Sequence, residues 1–237
     1  MLSRVLWVGL LAGIVAGLLI AILQQVTTTP LILLAETYEE KSAAAPAAPA
    51  AKAHDHDVHE HGWSPGAGLS RFFFTAATTI ATAIGISFLL IAGMIFAGDA
   101  IEERRALAWG IAGFVATGLA PAAGLAPELP GSASGELLAR QVWWIGTAAA
   151  TAVALWGFLR MEHPAVRLGA IVLLLAPHVI GAPHAHAFES KVPAEVAAQF
   201  AALSLVVQGV LWMLAGIVVG LFWPWFEPHP ARQPASL

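Results

Sequence analysis

A cluster of alternating histidines and acids is the strongest chemical feature of the sequence. It holds four histidines and three carboxylates, which are His54, Asp55, His56, Asp57, His59, Glu60 and His61. Neutral imidazole is a good ligand for cobalt, nickel, copper and zinc. Because a spacing of two residues does not line one helix face, we expect an extended segment that captures and releases a divalent ion. The alternative is a solvated polar loop or a pH-sensitive segment.

Three further histidines follow or flank a pair of prolines. His178 comes directly after Pro177, and His184 and His186 form an H-x-H pair after Pro183. An ionisable group at membrane depth is costly and marks a functional candidate. Prolines free backbone carbonyls, and broken helices often line transport sites. We expect these three histidines to contact metal, whereas the alternative for His178 is a helix-capping or interfacial histidine bonded to a neighbouring carbonyl.

Polar residues after the first apolar run could form the mouth of a pathway. Gln24 and Gln25 end that run, and Glu36 and Glu39 follow it. Carboxylate and amide oxygens can ligate a divalent ion. The alternative is that the two glutamines are ordinary interfacial polar residues or bond between helices.

The composition predicts an all-α membrane protein. Of the 237 residues, 58% are hydrophobic and only 11% are charged, whereas soluble domains carry about 25% charged residues. The apolar runs are continuous and reach the roughly 20 residues that span a bilayer as a helix. Transmembrane barrel strands would instead alternate apolar and polar residues. We therefore expect a polytopic helical bundle in a lipid bilayer.

The hydrophobic runs predict about six membrane-spanning helices. They cover Arg4–Gln25, Phe72–Ala97, Leu107–Ala122, Gln141–Leu159, Leu168–Ile180 and Val196–Trp223. The fifth is short for a full crossing, and Pro177 and Gly181 are expected to break its end or make it re-entrant. The predicted organisation is a first helix over 1–25, a histidine-rich loop over 26–70, a bundle of about five spans over 71–225 and a Pro-rich tail over 226–237. Pro30–Glu39 is expected to form a short interfacial helix.

The distribution of Lys and Arg predicts the orientation. With six crossings, one side holds Arg4, Arg104, Arg105, Arg160, Arg167 and Arg232, and the other holds Lys41, Lys52, Arg71, Arg140 and Lys191. Two lysines of the second set lie in a long loop, where the positive-inside rule loses force. We therefore expect both termini in the cytoplasm of a bacterial cell, a multi-pass protein of the inner (cytoplasmic) membrane, and a periplasmic or extracellular histidine loop.

Several function classes are excluded or disfavoured. Cysteine is absent, which excludes disulfides, thiolate metal sites and cysteine catalysis. The net charge of −4 and the lack of a basic patch argue against nucleic acid as a partner. Walker A, H-E-x-x-H and G-x-S-x-G patterns do not occur, so we expect no enzyme and no permanently bound cofactor.

Several blocks of the sequence together resemble a known family. They are Leu23–Gln25, Pro30–Ile32, Ala35–Glu39, the acidic histidine loop before Trp63, Leu119–Gly131, Ala139–Trp144 and Pro177–Pro183. In this order they resemble the CbtA family, proposed subunits of a cobalt transporter. The resemblance implies cobalt uptake linked to cobalamin synthesis and a small single-span partner subunit, CbtB.

Two functional hypotheses remain open on the sequence. In the first, the chain is a permease or permease subunit for Co²⁺ (or Ni²⁺ or Zn²⁺), and the loop histidines gather the ion for a pathway near His178, His184 and His186. Because removing water from a dication is expensive, a relay of ligands would lower the entry barrier. In the second, the chain is a non-transporting membrane protein, a metal-binding assembly factor or sensor.

Overall fold

The computed structural model is all-helical over the residues it describes, which are 1–44, 68–133, 135–185 and 190–226. Its helices are α1 (Leu2–Val26), α2 (Thr28–Ala44), α3 (Leu69–Phe96), α4 (Glu103–Phe114), α5 (Ala120–Ala122), α6 (Leu137–Arg160), α7 (Pro164–Ile180) and α8 (Ala194–Phe222). A π-helical segment, Val115–Leu119, joins α4 to α5, and a 3₁₀ turn, Trp223–Phe226, follows α8. The predicted all-α class is confirmed.

The described residues contain six helical passes that pack into a bundle. Four of them, α1, α3, α6 and α8 with its 3₁₀ turn, are long and apolar enough to cross a membrane. The continuous helix from Glu103 to Ala122 and the 17-residue α7 are the two shorter passes. At 1.5 Å per residue α7 is about 25 Å long, slightly less than a hydrocarbon core of about 30 Å. The bundle therefore has the architecture of a multi-pass membrane protein, as the hydrophobic runs predicted.

The fifth pass differs from its prediction at Pro177. The helix does not break there but continues for three residues, to Ile180, and it ends at Gly181, whose φ of +89° suits glycine. Proline lacks an N–H, so it removes one backbone hydrogen bond of the helix. The Pro177 carbonyl accepts two hydrogen bonds, one from the Gly181 N–H (3.0 Å) and one from Trp143 Nε1 (3.2 Å).

Glycines allow α1 and α3 to pack closely. A Cβ on Gly13 would lie 2.3 Å from Ile84 Cα, and one on Gly17 would lie 2.5 Å from Ile80 Cα. These distances are below any ordinary contact, so the two backbones touch at the glycines. Close approach of small residues is a common way for membrane helices to gain packing energy. The four-residue spacing of glycines in α1 predicted this contact but not its partner.

The same kind of contact joins α4 to α8. A Cβ on Gly110 would lie 2.5 Å from the Trp212 carbonyl oxygen, and one on Gly216 would lie 2.4 Å from the Ala106 carbonyl oxygen. Buried residues of α1, α3 and α8, including Ile20, Leu90 and Leu211, complete the core. The helices α1, α3, α4 and α8 thus form a tight centre, whereas α7 packs along α6 at the edge.

One end of the bundle, the Asp99 face, holds the start of α1, the end of α8 and the turns 97–102 and 161–163. Arg4 donates two hydrogen bonds to the Trp223 carbonyl oxygen, at 2.9 and 2.6 Å, and its guanidinium lies 4.2 Å from the Trp223 ring centre. The loop residue Asp99 pairs with Arg160 at the end of α6. These contacts tie the first and last helices together and fix the α3–α4 turn to α6.

The opposite end, the Glu36 face, is built on α2 and two loops. Ala35 of α2 packs against Leu129 and Val192 in a small buried cluster. The Lys191 N–H donates to the Gly131 carbonyl (3.2 Å), which joins the loop before α6 to the loop before α8. The helix α2 includes the predicted interfacial helix Pro30–Glu39 and is longer at both ends.

Candidate functional site

The predicted metal ligands fall into two groups. His54, His56, His59, His61 and His186 lie outside the described residues. His178 and His184 are described, and both belong to the Glu36 face. Among the described residues no three His, Asp or Glu side chains come together as a metal-holding group. A metal site built from the described residues alone would therefore combine at most two His, Asp or Glu side chains with other ligands.

His184 shares a small cavity with Glu128, which we call the Glu128 pocket. The pocket has a volume of about 160 Å³ and is lined by Gly124, Leu125, Ala126, Glu128, Ala133, Gly135, Pro183, His184 and Ala185. A Cβ on Gly135 would lie 3.1 Å from the His184 carbonyl oxygen, so the two loops touch. An imidazole and a carboxylate on one solvent-accessible rim form a pair suited to transient contact with a divalent ion.

Glu128 was not singled out from the sequence, because its partners come from distant segments. Arg140 Nη2 donates to Glu128 Oε2 at 2.6 Å, and the two side chains are 24% and 31% exposed respectively. The Arg140 Nε atom is buried and has no hydrogen-bond partner among the described residues. This carboxylate is therefore already neutralised by a guanidinium, and a cation that bound it would compete with Arg140.

His178 lies in the seam between α7 and α6. Its ring is 5.9 Å from that of Trp143, edge to face. Trp143 in turn packs on Gly124, since a Cβ there would lie 2.5 Å from Trp143 Cη2. His178 is half-buried and lines none of the cavities described here. Trp143 therefore connects His178 to the wall of the Glu128 pocket, although the two histidines do not share a cavity.

Two of the predicted mouth residues, Gln24 and Glu36, have hydrogen-bond partners on α3. Thr79 Oγ1 donates to Gln24 Oε1 at 3.0 Å, which joins α1 to α3. Arg71 Nη1 donates to Glu36 Oε1 at 2.6 Å. Gln25 is half-buried at the end of α1. Gln24 thus makes the interhelical hydrogen bond that was the alternative to a pathway role.

A larger cavity, which we call the Gln208 chamber, extends from Glu128 into the bundle. It has a volume of about 660 Å³ and is lined by Thr117, Gly118, Ala122, Leu125, Ala126, Pro127, Glu128, Leu137, Arg140, Gln141, Trp144, Ile145, Leu205 and Gln208. Glu128, Leu125 and Ala126 belong to both this chamber and the Glu128 pocket. Its wall is mostly apolar, and the polar side chains of Thr117, Glu128, Arg140, Gln141 and Gln208 lie among the apolar ones.

A third cavity, which we call the Asp99 cleft, opens at the other end of the same helices. It has a volume of about 360 Å³, and its mostly apolar wall includes Trp109, Trp156 and Trp212 together with Asp99, Arg105 and Arg160. Asp99 accepts a hydrogen bond from Trp109 Nε1 (2.8 Å) and one from Arg160. The Trp109 hydrogen bond, aided by Arg160 and by the charge of Arg105, lowers the pKa of the Asp99 carboxyl below its ordinary value. Asp99 is thus held ionised in a network that ties three segments together.

Comparison with known proteins gives one match. The family model described as "Probable cobalt transporter subunit (CbtA)" matches residues 2–224, nearly the whole chain. No curated protein and no solved structure matches the chain. The match covers all six passes and the loops that carry the Glu128 pocket. The chain therefore belongs to the CbtA family of probable cobalt transporter subunits.

Proposed function

We propose that this chain is the membrane-spanning subunit of a permease that takes up Co²⁺ for cobalamin synthesis. The ion meets His54, His56, His59 and His61 first and then passes to His184 and His186, with His178 behind them. From there it enters the bundle beside Glu128. Each transfer exchanges one set of ligands for another, so the ion never loses all its ligands at once.

The observation that carries this proposal is the convergence of candidate ligands on the Glu36 face. The histidine loop connects α2 to α3, and the Glu36–Arg71 ion pair joins those two helices. A Cβ on Gly131 would lie 2.9 Å from Glu39 Cγ, so α2 also packs on the loop that bears Glu128. His184 lies on the neighbouring loop, against Gly135. The two ends of the histidine loop are therefore attached to the same face as His184 and Glu128.

The Glu36 face is proposed to be the outer one, in the inner membrane of a bacterial cell. The Asp99 face holds five arginines, which are Arg4, Arg104, Arg105, Arg160 and Arg167. All but Arg4 lie at or near helix ends beside two short turns, 97–102 and 161–163. Short arginine-bearing turns are retained in the cytoplasm. Uptake then runs from the Glu36 face to the Asp99 face, in the direction that the membrane potential favours for a cation.

A partner subunit is expected to complete the transporter. The family is described as a subunit, and we propose the small single-span CbtB as its partner. The helix α7 packs mainly along α6 and leaves Ile171, Val172 and Val179 exposed to the bilayer. A single-span helix with its own histidines would add metal ligands without adding a soluble domain.

The test separates capture by the loop from passage through the bundle. Cells that express the chain with its partner should accumulate radioactive cobalt. A variant with all four loop histidines replaced by alanine should need a higher cobalt concentration for half-maximal uptake and retain the maximal rate. Cobalt binding without accumulation, with every partner combination, would contradict the proposal and favour a metal-binding assembly factor or sensor.

A further inference from the structure

The Gln208 chamber is built around an irregular stretch of helix. Residues Val115–Leu119 form a π-helical turn, in which the Ala120 N–H bonds to the Val115 carbonyl five residues back. Such turns are rare and occur mostly as single bulges at functional positions. The turn lies in the second half of the third pass and ends just before Pro121, whose missing N–H already interrupts the regular helical hydrogen bonding. It widens the helix at the level where Thr117 and Gly118 line the chamber.

Gly118 allows the Gln208 amide to approach this turn. A Cβ on Gly118 would lie 2.8 Å from Gln208 Oε1 and 2.8 Å from the Phe114 ring. The amide oxygen of α8 is therefore held against the π turn in a space that any larger residue would fill. Thr117 Oγ1 donates to the Gly113 carbonyl at 2.8 Å, which leaves its lone pairs free to accept. Gln141 lines the same chamber from α6.

Two buried hydroxyls lie on α6 between the segment that lines the chamber and the segment that lines the Asp99 cleft. Thr147 and Thr151 lie one turn apart on α6, are fully buried, and have no hydrogen-bond partner for Oγ1 among the described residues. A buried hydroxyl is normally satisfied, often by water or an ion. The two threonines lie between Ile145, which lines the chamber, and Ala152, which lines the Asp99 cleft.

Trp212 lines the Asp99 cleft one helical turn along α8 from Gln208, which lines the chamber. A Cβ on Gly113 would lie 2.3 Å from Trp212 Cζ3, so the indole rests directly on α4. Trp212 and Gly113 line the Asp99 cleft. One turn away on the same helices, Gln208 and Thr117 line the chamber. The third pass, α6 and α8 therefore line both cavities.

We propose that the Gln208 chamber is the ion site within the membrane, where Gln208, Gln141, Thr117 and Glu128 supply oxygen ligands to a partly hydrated divalent cation. This inference rests on the proposed transport function and moves the internal site away from the histidines. One water needs roughly 10–15 Å³ of such volume, so the chamber admits an ion that keeps several waters. Amide and hydroxyl oxygens hold a transition-metal ion more weakly than imidazoles do, Arg140 competes for the Glu128 carboxylate, and a transport site must release its ion as well as bind it.

The absence of cysteine in the chain makes a direct test possible. Leu205→Cys places one thiol in the chamber wall, and Val206→Cys places one on the exposed outer side of the same helix. In lipid nanodiscs, a charged thiol reagent should label Cys at 205 and not at 206. Cobalt at about ten times its dissociation constant should slow the labelling at 205 about tenfold.

A second substitution shows whether the amide holds the ion. Adding Gln208→Leu to Leu205→Cys should abolish protection by cobalt, whereas adding Gln199→Leu, an exposed amide on α8, should not. Absence of labelling at 205, or protection that survives Gln208→Leu, would overturn the inference while cobalt uptake by the wild-type chain still stands. Amide-dependent protection without any uptake would instead uphold the site and contradict the transport proposal.

Discussion

Arg71 donates a 2.6 Å hydrogen bond to Glu36, and this ion pair joins α2 to α3, the helices that precede and follow the histidine loop in the sequence. Glu36 lies in α2 and Arg71 in the first turn of α3. The Arg71 Nε atom is buried and lacks a hydrogen-bond partner among the described residues, and Glu36 is the acid that pairs with this guanidinium there. Glu36 was predicted as a pathway residue, and in the structure it also holds α2 to the start of α3.

A double-mutant cycle should separate the two roles of Glu36. If it anchors the loop, Glu36→Gln and Arg71→Gln should each lower stability, with a coupling energy of about 0.5–1 kcal/mol because both side chains are partly exposed. The charge-reversed pair Glu36→Arg with Arg71→Glu should recover most of the stability and of the cobalt uptake. Uptake that stays low in the reversed pair, with stability restored, would show that the carboxylate itself contacts the ion.

The contact between α1 and α3 should be intolerant of added volume. Gly13→Ala places a methyl group 2.3 Å from the backbone of Ile84, so the helices must separate. Overpacking of this kind costs about 1–3 kcal/mol, measurable as a lower midpoint of thermal unfolding in detergent. The matched control is Gly85→Ala, because a Cβ there meets nothing within 4 Å. Equal effects of the two substitutions would contradict the close packing.

The Asp99 network should make stability depend on pH in the acid range. Because the folded pKa of Asp99 is below the ordinary value of 3.8, ionised Asp99 contributes stability that is present above that value and lost as the pH falls through the folded pKa. Asp99→Asn should lower the stability by about 1–2 kcal/mol at neutral pH, since it removes a charge-assisted hydrogen bond. It should also flatten the loss of stability on acidification below the ordinary value.

The control for Asp99 is an acid on the same face. Glu162 is exposed, and no ion pair is found for it among the described residues. Glu162→Gln should therefore leave both the unfolding midpoint and its pH profile close to those of the wild type. If the acid-range profile of Asp99→Asn matched the wild type, the lowered pKa would be contradicted.

Two histidines at opposite ends of α7 provide a matched pair for the relay. His178 packs against Trp143 on the Glu36 face, whereas His163 caps the start of α7 on the Asp99 face and accepts from the Ala165 N–H. His178→Ala should reduce the rate of cobalt uptake several-fold at unchanged protein level. His163→Asn, which keeps a capping acceptor, should transport like the wild type. Similar uptake by both variants would exclude His178 from the relay.

The sequence predicts the passes well, whereas the residues that line the Gln208 chamber come together only in the fold. Continuous apolar runs such as Leu2–Val26 determine their own helices, because a bilayer requires every backbone group to be bonded within the segment. Residues such as Gln208 and Gly118 are 90 positions apart, and only the packing of α8 on the π turn brings them together. The metal ligands predicted from the sequence are all histidines, because closely spaced histidines can be recognised without knowing the fold.

Some polar residues of the bundle can be recognised in the sequence, but the sequence does not show which role each of them has. Gln141 and Gln208 are amides within apolar runs, which is a common sign of interhelical hydrogen bonds and equally of a polar cavity. Gln24 forms an interhelical hydrogen bond with Thr79, whereas Gln208 lines a cavity. Distinguishing them requires knowing which helix lies opposite, and no local pattern contains that information.

Cobalt influx into proteoliposomes that hold the chain and its partner subunit tests the central claim most directly. With an inside-negative potential imposed, radioactive cobalt should accumulate, and unlabelled cobalt should compete more strongly than equal concentrations of nickel or zinc. Liposomes with Gln208→Leu protein should fill several-fold more slowly than those with Gln199→Leu. Cobalt that binds the reconstituted protein but never enters the lumen, under either potential, would contradict the account.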